Sequence, residues 1–312
     1  MQTVVKPFDE ATIAEAARRI LAGECVAVPT ETVYGLAADA TNGEAVAGIY
    51  AAKGRPSFNP LIVHVPTIDA ARAIATFNPA AEKLAATFWP GPLTLVLPQR
   101  PDSPVAAIVA AGLDTIAIRI PAHPAMQGLL RATNRPLAAP SANASGRISP
   151  TRADHVLASL KGKIGLIVDA GPTGHGLESS IVAPAAAPVR LLRPGPIDRD
   201  MIEAATGLPV SLDASDAIEA PGQMASHYAP TKPVRLEAAH GKPGEWLIGF
   251  GNVAGDATLS ASGDLIEAAA RLFDALHEAE ASDAARISVA PIPETGLGIA
   301  INDRLRRAAA DR

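Results

Sequence analysis

Lys53-Gly54-Arg55-Pro56-Ser57-Phe58-Asn59-Pro60, followed by Leu61-Ile62-Val63-His64-Val65, joins the end of a helix to the start of a buried strand through three polar heads. Gly54 permits a positive φ and Pro56 biases Arg55 away from helical backbone, so the Lys53 and Arg55 side chains are expected to leave the chain in different directions. Asn59 also precedes a proline and is held extended, its amide presented just ahead of the strand. A clamp at a strand mouth has this form. The same residues also read as an ordinary helix end, with Lys53 on the last carbonyls, Gly54 at C′ and Pro56 as a stop. Alternation along the strand sets Leu61, Val63 and Val65 to one side and Ile62 and His64 to the other. His64 is then a polar residue on a buried strand, either a satisfied core histidine or a functional group.

On the N-terminal side of this stretch, Thr12-x-x-Glu15 and Thr41-x-x-Glu44 each read as a capping box opening a helix. Gly23 stops the first helix, and Cys25-Val26-Ala27-Val28 follows as a short buried strand. Pro29-Thr30-Glu31-Thr32-Val33-Tyr34-Gly35-Leu36 leaves that strand with hydroxyls, a carboxylate and a phenol, a plausible site wall. The second helix faces Val46, Ile49 and Tyr50 inward and delivers Lys53 to the clamp.

On the C-terminal side, Asn78-Pro79 opens a helix that Trp89-Pro90-Gly91-Pro92 ends before a strand over Leu93 to Leu97. Ile116-Ala117-Ile118-Arg119-Ile120-Pro121 is a further strand with three isoleucines on one face and Arg119 on the other. A strand arginine has either a structural carboxylate partner or a ligand, and arginine is the side chain best suited to bidentate carboxylate recognition. After Pro136-Leu137-Ala138-Ala139 comes the polar loop Pro140-Ser141-Ala142-Asn143-Ala144-Ser145-Gly146-Arg147-Ile148-Ser149-Pro150-Thr151. Some of these side chains satisfy their own turns; so many together also suit a nest for phosphate or ribose oxygens. Leu166-Ile167-Val168 and Ile181-Val182 read as strands, with Glu178-Ser179-Ser180 entering the second. Val189-Arg190-Leu191-Leu192 leads to Arg193-Pro194-Gly195-Pro196, where a proline again pins a cation. The glycines between Gly171 and Gly176 form neither a P-loop nor a dinucleotide fingerprint.

The chain has 312 residues, a net charge of -5, 4% aromatic residues and one cysteine. That length suits two domains, each with its own core. The acidic balance and the scarcity of rings count against diffuse attraction to nucleic acid and against base stacking. Cys25 alone rules out an internal disulfide or a cysteine-bound zinc and reads as a small buried thiol. Met1 to Lys6 is not followed by an apolar segment, and no apolar run approaches the roughly 20 residues that span a bilayer, so a cytoplasmic location is expected.

Taken in order, Pro29 to Leu36, Lys53 to His64, Trp89 to Leu97, Thr115 to Pro121, Pro140 to Thr151, Gly171 to Val182 and Arg193 to Pro196 resemble the YrdC-like threonylcarbamoyl-AMP synthase family. The resemblance extends to its longer, two-domain branch through Ser226-His227-Tyr228-Ala229-Pro230. It implies an α/β fold with three parts: a YrdC-like twisted open mixed sheet with helices over residues 9–196, a linker over the active site at 197–233, and a small Rossmann-like α/β domain at 234–312. In that last part, strands are expected at Trp246 to Phe250 and Ile287 to Ala290, and helices at Asp264 to Ala281 and Gly298 to Ala309. Arg304, Arg306 and Arg307 around Leu305 are read as a solvated helix end.

The activity so implied makes threonylcarbamoyl-AMP and pyrophosphate from L-threonine, bicarbonate and ATP, for threonylcarbamoyladenosine modification of tRNA. By the same resemblance Lys53 and Arg55 are catalytic. With Asn59, Thr115, Ser141, Asn143, Ser149, Arg193 and Tyr228 they bind ATP; Thr32, His64, Arg119 and Ser179 hold threonine, and either Ser179 or Ser180 is the contact. Mg²⁺ is expected to arrive with ATP rather than at a fixed protein site. The product would pass to a tRNA threonylcarbamoyl transferase complex, with any contact to tRNA indirect. The alternatives are a non-catalytic RNA-binding module of the same fold and a carbamoyl-transfer maturation factor. The acidic balance counts against the first, and the second needs cysteine-rich zinc modules.

Overall fold

Side chains just outside the helices decide where those helices begin. In the computed structural model, which describes residues 1–185, 187–212, 219–222 and 227–310, β1 (Val4–Pro7) leads into α1 (Glu10–Leu21). The cap of α1 is Asp9, not Thr12: the Asp9 carboxylate accepts from the Thr12 amide at 2.7 Å, which leaves Thr12 buried within the first turn. After β2 (Val26–Pro29) and β3 (Tyr34–Asp39), α2 (Gly43–Lys53) is likewise capped by Asn42 and not by Thr41. The Thr41 hydroxyl is drawn off to Asp39 Oδ1 at 2.7 Å, while Asn42 Oδ1 accepts from the Glu44 and Ala45 amides. The end of α2 matches the sequence, with Gly54 left-handed at φ 61°.

The chain continues through β4 (Ile62–His64), α3 (Ile68–Arg72), α4 (Pro79–Phe88), β5 (Leu93–Pro98), α5 (Ala107–Ala110), β6 (Thr115–Arg119), α6 (Pro124–Thr133) and β7 (Leu137–Ala138). Then come α7 (Ala153–Leu160), β8 (Leu166–Asp169), β9 (Ser180–Ala183), β10 (Val189–Arg193), α8 (Arg199–Thr206) and β11 (Val210–Leu212). Among the described residues these strands form one mixed sheet of eleven, in the order β1-β8-β2-β3-β7-β4-β6-β5-β9-β10-β11. A second sheet is wholly parallel: β12 (Val234–Arg235), β13 (Glu245–Gly249), β14 (Ala257–Thr258) and β15 (Arg286–Val289) lie in the order β12-β15-β13-β14, with α9 (Leu265–Ala281) and α10 (Leu297–Ala309) packed together beside it.

Register and packing in the large sheet bring its polar strand ends together. β4 and β6 pair in parallel with His64 opposite Arg119 and Ile62 opposite Ala117, so each pair shares one face. On that face Ile62, Val96, Ala117, Ile181, Ala183 and Leu192 pack with Ala220, a residue of the connecting segment. That segment is more than a tether, since it contains α8 and adds β11 in parallel to β10. The core of the C-terminal sheet and its helices also takes in Val33, Ile148, Leu177 and Tyr228, so the two halves meet through an apolar seam.

Candidate active site

The ends of β4, β6 and β10 and the loops before β3, after β7 and before β9 converge on one cavity. It is lined by Thr30, Thr32, Arg55, His64, Arg119, Ser141, Glu178, Ser179, Arg193, His227 and Tyr228 among others. The open space within it is about 50 Å³, whereas small-molecule sites commonly offer about 300–1,000 Å³.

Arg119 and His64 stand side by side at their strand ends. The Arg119 guanidinium donates to Thr32 Oγ1 at 2.9 Å and to the Gly91 carbonyl at 3.1 Å, and pairs with the Glu31 carboxylate at 2.7 Å. Burial raises the Glu31 carboxyl, but the charge and hydrogen bond of Arg119 outweigh it and hold Glu31 below the usual carboxylate value. His64 is pushed down to about 3, first by burial and then by Arg119, so its ring is neutral at physiological pH; its Nδ1 has no partner among the described residues. Arg119 therefore has the structural carboxylate partner that its sequence allowed, and it also lines the cavity. Ser179 and Ser180 are placed differently. The Ser179 hydroxyl meets Thr94 Oγ1 at 2.7 Å and lines the cavity, while the Ser180 hydroxyl is spent on the backbone of Ile197.

Arg55 and Arg193 supply the other two cations of the lining. Arg55 donates to the carbonyls of Asn59 and Pro60 and to Asn59 Oδ1, so the amide of Asn59 braces the clamp. Burial lowers the Arg55 guanidinium to about 10, still charged at neutral pH. Arg193 donates to the Ser179 carbonyl at 2.9 and 3.0 Å and to its hydroxyl at 3.1 Å, and burial lowers it too.

Five of the expected residues lie behind the lining. Lys53 does leave in a different direction from Arg55, but it is buried beneath the 140–151 loop. There its ammonium donates to the carbonyls of Ser141 and Asn143 and to Asn143 Oδ1. Burial and then Arg55 push Lys53 well down, yet three carbonyl oxygens around one nitrogen are the surroundings of an ammonium. Asn143 Nδ2 donates to the Ala144 and Arg147 carbonyls, the loop-bracing role that the sequence left open. Asn59 stands behind Arg55, which it braces. Ser149 is fully buried and donates to Glu178. Thr115 opens β6, half-buried, opposite Pro98 of β5 and outside the cavity lining.

The connecting segment adds Pro221, Gly222, His227 and Tyr228 to the cavity lining. Tyr228 is fully buried and lies in left-handed backbone at φ 61°; its hydroxyl has no partner among the described residues, and its ring meets His227 at 4.1 Å and Phe273 at 5.6 Å. Ser226, the first residue of its motif, lies outside the described residues. Gly222, at φ 86°, comes so close that a Cβ there would sit 2.8 Å from the Tyr228 oxygen.

On α10 the expected solvated end holds for Arg306, which is exposed and paired with Glu294, and fails for Arg304. Arg304 is not solvated: it is completely buried, pairs with Glu178 at 2.9 Å and with Asp303 at 2.7 Å, and lies 5.2 Å over the Tyr228 ring. Ile301, Arg304, Leu305 and Ala308 are all buried, so helical spacing would have put Arg304 on the inner face. Glu178, a cavity carboxylate, was passed over because nothing in its neighbourhood announces a partner 126 residues away.

Sequence and structure comparisons agree with this fold. Residues 18–195 match the Sua5/YciO/YrdC family, described as "Telomere recombination", and residues 197–310 match the "Threonylcarbamoyl-AMP synthase, C-terminal domain". The chain belongs to the Sua5/YciO/YrdC family. Within it, the second match places the chain among members that carry the Sua5 C-terminal domain. A threonylcarbamoyl-AMP synthase of Bacillus subtilis is 43% identical, covering 96% of this chain and 93% of that protein. One of Pyrococcus abyssi is 39% identical, covering 98% and 96%. The structure of P. abyssi Sua5 complexed with L-threonine superposes with a TM-score of 0.88 at 38% identity, covering 99% of this chain and 97% of that one.

Proposed function

We propose that the protein is an L-threonylcarbamoyladenylate synthase, a nucleotidyltransferase serving threonylcarbamoyladenosine modification of tRNA. The observation that carries this reading is the distribution of charge around one cavity. Arg119 with Thr32, neutral His64 and Ser179 makes a carboxylate and hydroxyl receptor at one strand mouth, and Arg55 and Arg193 add two further cations. The relatives with this architecture bear the name of that activity, and one binds L-threonine.

In this reading threonine's carboxylate lies on Arg119, with its polar end toward His64, Thr32 and Ser179. Its amine takes up bicarbonate, losing water, to give a carbamate. A carbamate oxygen attacks the α-phosphorus of ATP, the bond to the bridging oxygen breaks, and pyrophosphate leaves with threonylcarbamoyl-AMP as product. Such a displacement gains mainly from positioning and from stabilising charge on phosphate oxygens. Arg55, Arg193, Ser141 and Tyr228 would meet the nucleotide directly, with Thr115 as a further contact. Lys53, Asn59, Asn143 and Ser149 would hold those groups in place, so Lys53 acts by fixing the 140–151 loop. Among the described lining residues Glu178 is the one carboxylate, and Ser149 and Arg304 already engage it. That donor set suits Mg²⁺ entering on the phosphates of ATP.

Incubation with labelled ATP, threonine and bicarbonate tests the proposal. Pyrophosphate release should require all three and leave threonylcarbamoyl-AMP; release indifferent to threonine would refute it. A purely RNA-binding role fits poorly, because the cations of the cavity are buried and do not track along a surface. We further propose that the product passes to a tRNA threonylcarbamoyl transferase complex in the cytoplasm; among the described residues no helix is long and apolar enough to cross a membrane.

A further inference from the structure

We propose that Arg304, on the C-terminal helix α10, is a positioning residue for the nucleotide, fixing Glu178 on the cavity wall and the Tyr228 ring on the connecting segment at the same time. This role rests on the cavity being the site of threonylcarbamoyl-AMP synthesis. Arg304 touches no open space itself. Its Nε donates to Glu178 Oε2 at 2.9 Å, its Nη1 donates to Asp303 Oδ2 at 2.7 Å, and its guanidinium carbon lies 5.2 Å from the centre of the Tyr228 ring. The other Glu178 oxygen takes the Ser149 hydroxyl, so the carboxylate is held from both domains.

α10 also grips the connecting segment by its backbone, since the Arg307 carbonyl accepts from the His227 amide at 3.2 Å. Arg307 Nε in turn holds Asp303 at 3.0 Å, the carboxylate that anchors Arg304. Burial disfavours the Arg304 charge, yet Tyr228, Glu178 and Asp303 together raise it above its ordinary value. The arrangement needs a planar cation that points donors at two carboxylates while lying across a ring, which lysine cannot reproduce. A purely structural staple between domains would have no reason to end on a carboxylate of the cavity and on a ring of its wall.

The test is equilibrium binding of ATP and of threonine, by calorimetry, to the full chain and its variants. Arg304→Lys should weaken ATP binding by about tenfold or more, the scale of one charge-assisted hydrogen bond, while threonine affinity stays within about twofold. In a Glu178→Gln background the same change should cost much less than it does alone, since both act on one contact. Arg306→Gln, on the exposed face of α10 and paired with Glu294, should leave both affinities unchanged. If Arg304→Lys leaves the chain unfolded, Arg304→Gln with Glu178→Gln removes the two charges together and should show the same loss confined to ATP. Equal loss of both ligands, full additivity with Glu178→Gln, or undiminished ATP binding would overturn the proposal. A wild-type chain that binds ATP and threonine but releases no pyrophosphate would overturn the reaction, and the affinities would still decide the role of Arg304.

Discussion

Arg119 answers to a carboxylate, a hydroxyl and a backbone carbonyl at once, all within a buried strand mouth. A lysine has the charge but not the planar fork, so Arg119→Lys should lower threonine affinity by about tenfold or more with ATP binding largely kept. Calorimetry that found threonine binding unchanged would return Arg119 to a structural role beside Glu31. Arg55 differs, because its charge faces the cavity while its other donors hold Asn59 and Pro60. Arg55→Ala should slow pyrophosphate release by about a hundredfold, which corresponds to about 3 kcal/mol of lost charge stabilisation. Near-wild-type turnover in that variant would remove Arg55 from the chemistry. Polar residues before or at strand ends were readable from alternation and from the prolines beside them, which is why Arg55, His64, Arg119 and Arg193 were found. Whether such a residue lines the cavity or braces a neighbour depends on its rotamer and on residues far away in sequence. Lys53 and Asn143 therefore turned out to stand behind the wall.

At the scale of elements, α7 and α9 meet through two stacked histidines. His155 and His277 lie ring on ring at 3.7 Å, with Asp274 paired to Arg152 at 2.7 Å beside them and His277 Nε2 3.1 Å from the Ser149 carbonyl. Burial, then His155, lowers His277 to about 4 from an ordinary 6.5, and burial lowers His155 as well. An unfolded chain therefore binds protons here that the folded one refuses. The contribution of His277 to stability is complete above pH 6.5 and is lost as pH falls toward 4, by at most about 3 kcal/mol. Thermal unfolding should show Tm falling over that window, and His277→Gln should flatten the fall; an unaltered pH profile in the variant would refute it. The elements themselves were largely legible, since periodicity marked α9, α10, β13 and β15 within a residue or two. Two caps were misplaced because Asp9 and Asn42 compete with nearby threonines for the same amides, and only the folded backbone shows which side chain reaches them.

For the whole molecule, the seam between the domains changes what the connecting segment can be. Removal of everything after β11 would uncover Val33, Ile148 and Leu177, so a truncated chain would lose stability along with any lid. The point variant Tyr228→Ala is the cleaner probe. It should weaken ATP binding by about tenfold, because a ring of the cavity wall is lost, and lower Tm through the loss of one buried side chain, since left-handed backbone costs alanine as much as tyrosine. Unchanged ATP affinity would make Tyr228 a staple between domains.

The small size of the cavity around Tyr228 has a kinetic consequence. If nucleotide binds against the Tyr228 ring of the wall, that ring works as a door whose swing is set by its tether and not by the ligand outside. Nucleotide would then enter only when the ring has swung aside, so the observed rate of ATP association in stopped flow should climb with ATP and then level off at the rate of opening. In Tyr228→Ala the plateau should rise or vanish even as dissociation quickens, so that the weaker binder is also the faster one. A rate that stays linear in ATP for the wild-type chain would show that the closed form sets no limit on entry.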